Sequence, residues 1–355
     1  MQSITLDVET ITPLFIAGAD QAHIESEGLR SPTLRGLMRW WFRAIMGGIV
    51  DVGMLMEKES EIFGSTSTRS KIRILTSTLD KPVSINQIPA LKELRYLWFS
   101  IYMQNVRGQR ISCYPPGSEF SITLMSDHSD ALRVAACTLW STIYLGGVGA
   151  RMRRGAGSLK VLKADCDAGY CDFLFRGSRI VPEATDFMSK NLQIIFNCFR
   201  KLSSRKATQE PTFCVLSRKT TKLALLSQVS GLFNRYEDGL KAISAVYQQY
   251  RGGIRDRFEG KQGGIPPADR IVFGLPFVFG RPPQRIYVGF RQASPLSIGV
   301  MKLDSGYAIR LVKFYSSVHK DFAAKSGDVR KHLDLLDNRL KNRFSETEIT
   351  IPEVN

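Results

Sequence analysis

A chain of 355 residues with 43% hydrophobic content can build a sizeable core, and its length suits two domains better than one. Lysine and arginine outnumber the acids 49 to 33, giving a net charge of +16 and a pI near 9.7, so the expected partner is a polyanion, nucleic acid ahead of an anionic membrane surface. No apolar run reaches the roughly 20 residues that span a bilayer, and the six cysteines form no Cys-x-x-Cys pair, which argues against both a membrane protein and a zinc site.

Residues 3–12 alternate Ile4, Leu6 and Val8 with Thr5, Asp7 and Glu9, the period of a half-buried strand. With no apolar targeting core at this end, the cytoplasm is the expected location and the thiols are expected to be reduced. Residues 17–29 read as a polar loop containing His23. A helix is expected over 34–47, capped by Thr33, because Leu34, Leu37, Met38, Trp41, Phe42 and Ile45 fall on one face. Arg35, Arg39 and Arg43 fall together on the other face, with Trp40 at the border. No carboxylate lies between Leu29 and Val50, so this stripe is a candidate anion contact and Trp40 a candidate for base stacking. Short elements follow: a segment at 62–64, strands at 71–77 and 96–102, a turn at 105–109 and an alternating strand at 119–125. Asp130 then caps an apolar helix over 131–144.

That helix runs into the densest functional signal in the chain, five glycines and three arginines within residues 145–158. Gly146, Gly147, Gly149, Gly155 and Gly157 allow the backbone to approach a ligand closely. Arg151, Arg153 and Arg154 offer donor forks matched to phosphate oxygens. The other reading is a glycine-rich turn with solvated arginines. The loop lacks the Gly-Lys-Ser/Thr ending of a P-loop and the third glycine of a dinucleotide fingerprint. Residues 154–161 echo the RNA-recognition-motif segment, but Ala156 and Ser158 stand where stacking aromatics would be, so contacts to phosphate and sugar are expected. A strand over 158–164 closes this half, giving a ferredoxin-like α+β layout.

The second half reads as a degenerate copy and is the more basic, with 31 basic and 19 acidic residues over 161–355 against 18 and 14 over 1–160. Expected elements are helices at 185–202 and 236–250, strands at 212–216, 271–279, 285–290, 296–303 and 307–315, and a basic helix at 327–344. Arg255, Arg257 and Lys261 lie in a second basic, glycine-rich segment and are further candidates for RNA contact. The domain expectation is 1–175 and 176–355. Catalytic chemistry has little support. The four histidines have no nucleophile beside them, and the carboxylate pairs Asp165/Asp167 and Asp334/Asp337 read as solvated. No metal or cofactor is expected.

Residues 31–44, Ser-Pro-Thr-Leu-Arg-Gly-Leu-Met-Arg-Trp-Trp-Phe-Arg-Ala, resemble the first-helix signature of the Cmr subunit 1 family, RAMP-superfamily proteins of type III-B CRISPR effector complexes. The glycine-rich loop over 146–158 is similar to that of the superfamily, and Arg291-Gln292-Ala293-Ser294-Pro295-Leu296 resembles a later family segment. Met38 stands where the family pattern has leucine. The resemblance implies two fused ferredoxin-like (RRM-like) domains, with the glycine-rich loop after the second helix of the first. It implies a non-catalytic subunit that caps the complex near the 3′ part of the guide RNA, contacts the guide and complementary target RNA, and sits beside other Cmr subunits. Two rivals remain: a metal-independent RAMP endoribonuclease that processes CRISPR RNA with His23 as general base, and an assembly adaptor without RNA affinity.

Overall fold

The computed structural model describes residues 1–16, 28–109, 111–167, 174–175, 178–203, 207, 213–252, 254–256, 260–262, 272–274, 277–279, 284–286, 293–315 and 329–353. Strand β1 (Gln2–Thr10) leads to helices α1 (Ser31–Met46) and α2 (Val52–Phe63) and strand β2 (Arg73–Thr78). A small unit of β3 (Val83–Ser84), α3 (Ala90–Glu93), α4 (Phe99–Val106) and β4 (Ser112–Cys113) precedes β5 (Glu119–Ser126), α5 (Ser129–Tyr144), β6 (Leu159–Cys166) and α6 (Val181–Arg200). Then come β7 (Thr221–Ser227), α7 (Tyr236–Gly252), the short hairpin strands β8 (Ile254–Asp256) and β9 (Gly260–Gln262), and the pair β10 (Phe277–Phe279) and β11 (Gln284–Ile286). The chain continues through β12 (Leu296–Leu303), β13 (Gly306–Phe314), α8 (Val329–Lys341) and β14 (Ser345–Ile349).

Two four-stranded sheets organise this mixed α/β fold, with orders β2-β5-β1-β6 and β12-β13-β7-β14, and every pairing in both is antiparallel. In each sheet the first strand in sequence lies between the third and the fourth. A helix also separates the first strand from the second, and the third from the fourth. The two sheets thus share one strand order, and the strands of the second begin at β7. Helix α6 belongs to the first core instead: Phe199 packs on Phe42 at 5.3 Å, and Phe187 lies against Trp140 and Tyr144.

The register explains the layers. Ile4, Leu6 and Val8 of β1 pair with Leu124, Ile122 and Phe120 of β5, all fully buried, and turn one face of the first sheet towards α1 and α5. Strand β13 is buried on both faces. Ala308, Val312 and Phe314 join the core that contains α1 and α5, while Ile309 and Leu311 join the core formed with α7 and α8. Helices α1 and α5 therefore lie between the two sheets, and α7 and α8 cover the far side of the second.

Several local expectations change. Helix α1 starts at Ser31 with Pro32 in its first turn and Arg30 before it, so Thr33 is inside the helix and not its cap. Residues 52–63 form a helix instead of a short segment, with Leu55, Glu59, Ile62 and Phe63 inward. The aromatic run expected as a strand at 96–102 enters α4, with Trp98 fully buried just before it. Residues 213–216 carry no strand; β7 and the terminal β14, both unforeseen, complete the second sheet. Cys113, Cys137, Cys166, Cys198 and Cys214 are free thiols.

Candidate nucleic-acid interface

The glycine-rich loop after α5 approaches protein at close range. Gly149 (φ +83°) lets Ala150 N–H donate to the Phe15 carbonyl at 2.7 Å, and a Cβ on Gly149 would lie 2.5 Å from that oxygen. Gly157 (φ +61°) donates to the Pro13 carbonyl at 2.9 Å, and a Cβ there would meet the Val148 carbonyl at 1.8 Å. Both positions require glycine to close the loop on the segment after β1. Gly146 packs against the Trp41 indole, Gly147 faces the Gly157 carbonyl, and Gly155 packs on Leu240 of α7.

The loop's arginines are similarly engaged. Arg154 donates from Nη1 to the carbonyls of Arg153 and Leu296 at 2.9 and 2.8 Å, and from Nη2 to Ser294 Oγ, Tyr247 Oη and the Phe273 carbonyl at 3.0, 3.2 and 3.4 Å. Arg153 donates to the Ser294 carbonyl at 2.5 Å, and its guanidinium sits 4.3 Å from the centre of the Trp40 ring. Arg151 (φ +62°) donates to Ser100 Oγ at 2.8 Å. Burial lowers the pKa of both Arg151 and Arg153 from the ordinary guanidinium value. The backbone takes part as well, since Gly155 N–H donates to the Ile298 carbonyl and Ile298 N–H to the Arg153 carbonyl. Two of the donor forks expected to hold phosphate, those of Arg153 and Arg154, thus fasten the first half of the chain to the second at β12 and α7, while Arg151 stays within the first half. Trp40, expected to stack a base, lies under Arg153 and 5.8 Å from Phe314 of β13.

Arg310 completes this clamp. From β13 it reaches the end of α5, donating to the Ile143 and Tyr144 carbonyls at 3.2 and 2.9 Å and to the Gly146 carbonyl, and it is 1% exposed. The last carbonyls of a helix attract a cation, while burial pushes the guanidinium down to about 9. Space for it comes from Gly299, its partner in register on β12, where a Cβ would lie 2.0 Å from Nη2. An arginine within an apolar alternation, with a glycine on the preceding strand, was the available sequence signal.

The arginine stripe of α1 faces α2 and the start of β2. Glu59, 3% exposed, accepts from Arg39 Nε at 2.5 Å and from Arg43 Nε and Nη2 at 2.5 and 2.8 Å. Burial alone would raise the Glu59 carboxyl, but the hydrogen bonds from Arg43 and Arg39 outweigh it and hold the group below the ordinary value. Arg35 donates to the Phe63 and Ile72 carbonyls and to Ser70 Oγ, at 3.0, 3.2 and 2.7 Å. The carboxylate missing from the α1 window arrives from the next helix.

In the second half, Arg255 and Lys261 stand opposite each other in the β8–β9 hairpin, while Arg257 lies outside the described residues, as does His23. His332 is buried with Nδ1 2.8 Å from Tyr250 Oη, and His128 precedes α5. The acids expected to be solvated are partly structural. Asp337, 4% exposed, accepts from Lys313, and Asp167 accepts from Ser3 N–H and Oγ. Among the described residues no group of three His, Cys, Asp or Glu side chains is placed to hold a metal ion, and no helix is long and apolar enough to cross a membrane.

Known proteins match this arrangement. A family model described as the RAMP superfamily matches residues 7–160, which gives the class of the first half. The CRISPR system Cmr subunit Cmr1-1 of Pyrococcus furiosus is 30% identical over 305 residues, covering 84% of this chain and 83% of that protein. Cmr1-2 of the same organism is 37% identical over 186 residues, 45% of this chain and 96% of that one. The crystal structure of Cmr1 from Pyrococcus furiosus in its apo form is similar at a TM-score of 0.70 and 26% identity, covering 98% and 99% of the two chains. A chain in the cryo-EM structure of the type III-B Cmr-beta bound to cognate target RNA shares the fold at a TM-score of 0.57 and 14% identity, covering 96% and 99%. The present chain belongs to the Cmr1 family of CRISPR Cmr subunits.

Proposed function

We propose that the chain is a non-catalytic, RNA-binding subunit of a cytoplasmic type III-B Cmr effector complex, built from two ferredoxin-like domains. It caps the complex near the 3′ part of the guide RNA and contacts the guide–target RNA region. The observation that carries this reading is the 30% identity to Cmr1-1 over most of both chains. The shared fold with a chain of an assembly named for its bound target RNA, and a net charge of +16, support it further. Within this reading Arg153 and Arg154 are positioning residues. They lock the glycine loop, with Gly146, Gly147, Gly149, Gly155 and Gly157, to the second sheet. Arg35, Arg39 and Arg43 order the α1 side, and Arg255, Arg257 and Lys261 are further candidates for RNA contact.

The test is reconstitution of the complex with and without this chain, measuring affinity for complementary RNA and cleavage in the same tubes. The expected result is weaker target binding without the chain, together with salt-dependent binding of single-stranded RNA by the chain alone and no cutting by it. RNA cleavage by the isolated chain without metal, abolished in His23→Ala, would establish the endoribonuclease instead. An isolated chain that retains no RNA at low salt is an assembly adaptor.

A further inference from the structure

Beside α1, at the turn between α2 and β2, lies a depression of about 740 Å³ lined by Arg35, Arg39 and Arg69 and by a hydroxyl-rich loop over residues 64–70. The loop is held in shape from within. Ser65 N–H donates to the Thr68 carbonyl at 2.8 Å, and Ser65 Oγ accepts from the N–H groups of Ser67 and Thr68. Arg35 ties it to α1 through Ser70 Oγ and the Phe63 carbonyl. Gly64 (φ +83°, ψ 162°) makes the corner, where a Cβ would lie 2.9 Å from Ser70 N.

The charge balance is one-sided. The carboxylate nearest to these arginines, Glu59, is taken by Arg39 and Arg43, and Glu61 pairs with Lys58. Arg69 is exposed and makes no hydrogen bond or ion pair among the described residues, and the hydroxyls of Thr66 and Thr68 likewise have no partner. Lys71 and Arg73 continue outwards from the loop. Both are exposed, Lys71 just before β2 and Arg73 at its first position beside buried Ile72 and Ile74, and they too make no side-chain pair among the described residues. Strand β2 is an edge of its sheet, so nothing from that sheet lies beyond this row.

We propose that this depression and the row Arg69, Lys71 and Arg73 form a binding track for the phosphodiesters of single-stranded RNA. The inference rests on the RNA-binding function proposed above and names the surface that carries it. Guanidinium forks and an ammonium neutralise phosphates, while Thr66, Thr68 and the loop backbone donate hydrogen bonds to phosphate and sugar oxygens. No aromatic side chain on the track is exposed to stack bases, since Phe63 is buried, so the recognition is indifferent to sequence.

The experiment is the salt dependence of single-stranded RNA binding by the full chain, wild type against Arg69→Ala/Lys71→Ala/Arg73→Ala, with thermal unfolding of both. Each phosphate contact contributes about −0.7 to the slope of log affinity against log salt. The triple variant should keep its unfolding midpoint, bind at least tenfold more weakly, and have a slope shallower by about 2. Equal affinity and slope in the two proteins overturn the track and leave the RNA-binding function standing; no salt-dependent binding by wild type overturns both. A variant that binds RNA normally but no longer joins the other Cmr subunits marks a protein-docking surface and also overturns the track. In the reconstituted complex, photo-crosslinking with thiouridine in either the guide or the target strand should attach one of them to residues 64–73 and identify the source. No crosslink from either strand overturns the track within the complex.

Discussion

Two arginine-rich segments of this chain look alike in sequence and differ in what surrounds them. In the loop after α5, Arg153 and Arg154 meet carbonyls and hydroxyls from β12, α7 and the segment that leads into β12, and these donors are satisfied inside the protein. Beside β2, Arg69 and Arg73 meet no acceptor among the described residues and face solvent. A guanidinium is an adhesive wherever the fold supplies acceptors, and a ligand for polyanions only where it does not. The difference lies in the tertiary surroundings, and each side of it can be broken separately.

The largest effect should come from Arg310→Ala, which leaves three carbonyls at the end of α5 and in the glycine loop without their donor and opens a cavity. A loss of about 3 kcal/mol or more is expected in denaturant unfolding. A loss under about 1 kcal/mol would mean that the clamp orients the sheets without stabilising them. Arg154→Ala should cost about 2–4 kcal/mol through the same interface, with RNA affinity of the folded fraction within threefold of wild type. The triple substitution beside β2 should show the reverse pattern, with stability within about 0.5 kcal/mol and RNA binding reduced. If Arg154→Ala instead leaves stability intact and abolishes RNA binding, the assignment of inside and outside is inverted.

Glu59→Gln tests the α1–α2 contact. Its expected cost is about 1–2 kcal/mol, kept modest because Arg43 is half exposed and screened by solvent. The carboxyl is more acidic folded than unfolded, so its contribution is fully present above the unfolded value of about 4.3 and is lost as pH falls through the folded value. Unfolding midpoints of wild type and Glu59→Gln should therefore converge on acidification below pH 4; parallel curves would show that the ion pair is not the cause. The smallest effect is expected for Arg151→Gly, where relief of a left-handed conformation offsets the lost bond to Ser100, leaving stability within about 1 kcal/mol.

Much of the first half was legible because its signals are local. The alternation of Ile4, Leu6 and Val8 and the apolar face of Leu34, Met38, Trp41, Phe42 and Ile45 each report one burial direction, and a strand or helix follows. Strand β7 was missed and the segment at 96–102 misread for the converse reason. Residues 223–226 are buried on both faces and lose their alternation, while the aromatic residues near Trp98 suit a strand by propensity but form the turn that enters α4, where Tyr96 packs on Tyr247 of α7.

The sequence by itself determined the family, the basic character of the surface and the positions where backbone shape demands glycine, because these depend on residue identity and near neighbours. Only the tertiary structure decided which arginines are buried and which remain for a ligand. Glu59 reaches Arg43 from 16 residues away, and Arg310 reaches Gly146 from 164. A hydrogen bond depends on distance in space, and no short window along the chain contains both ends of either of these.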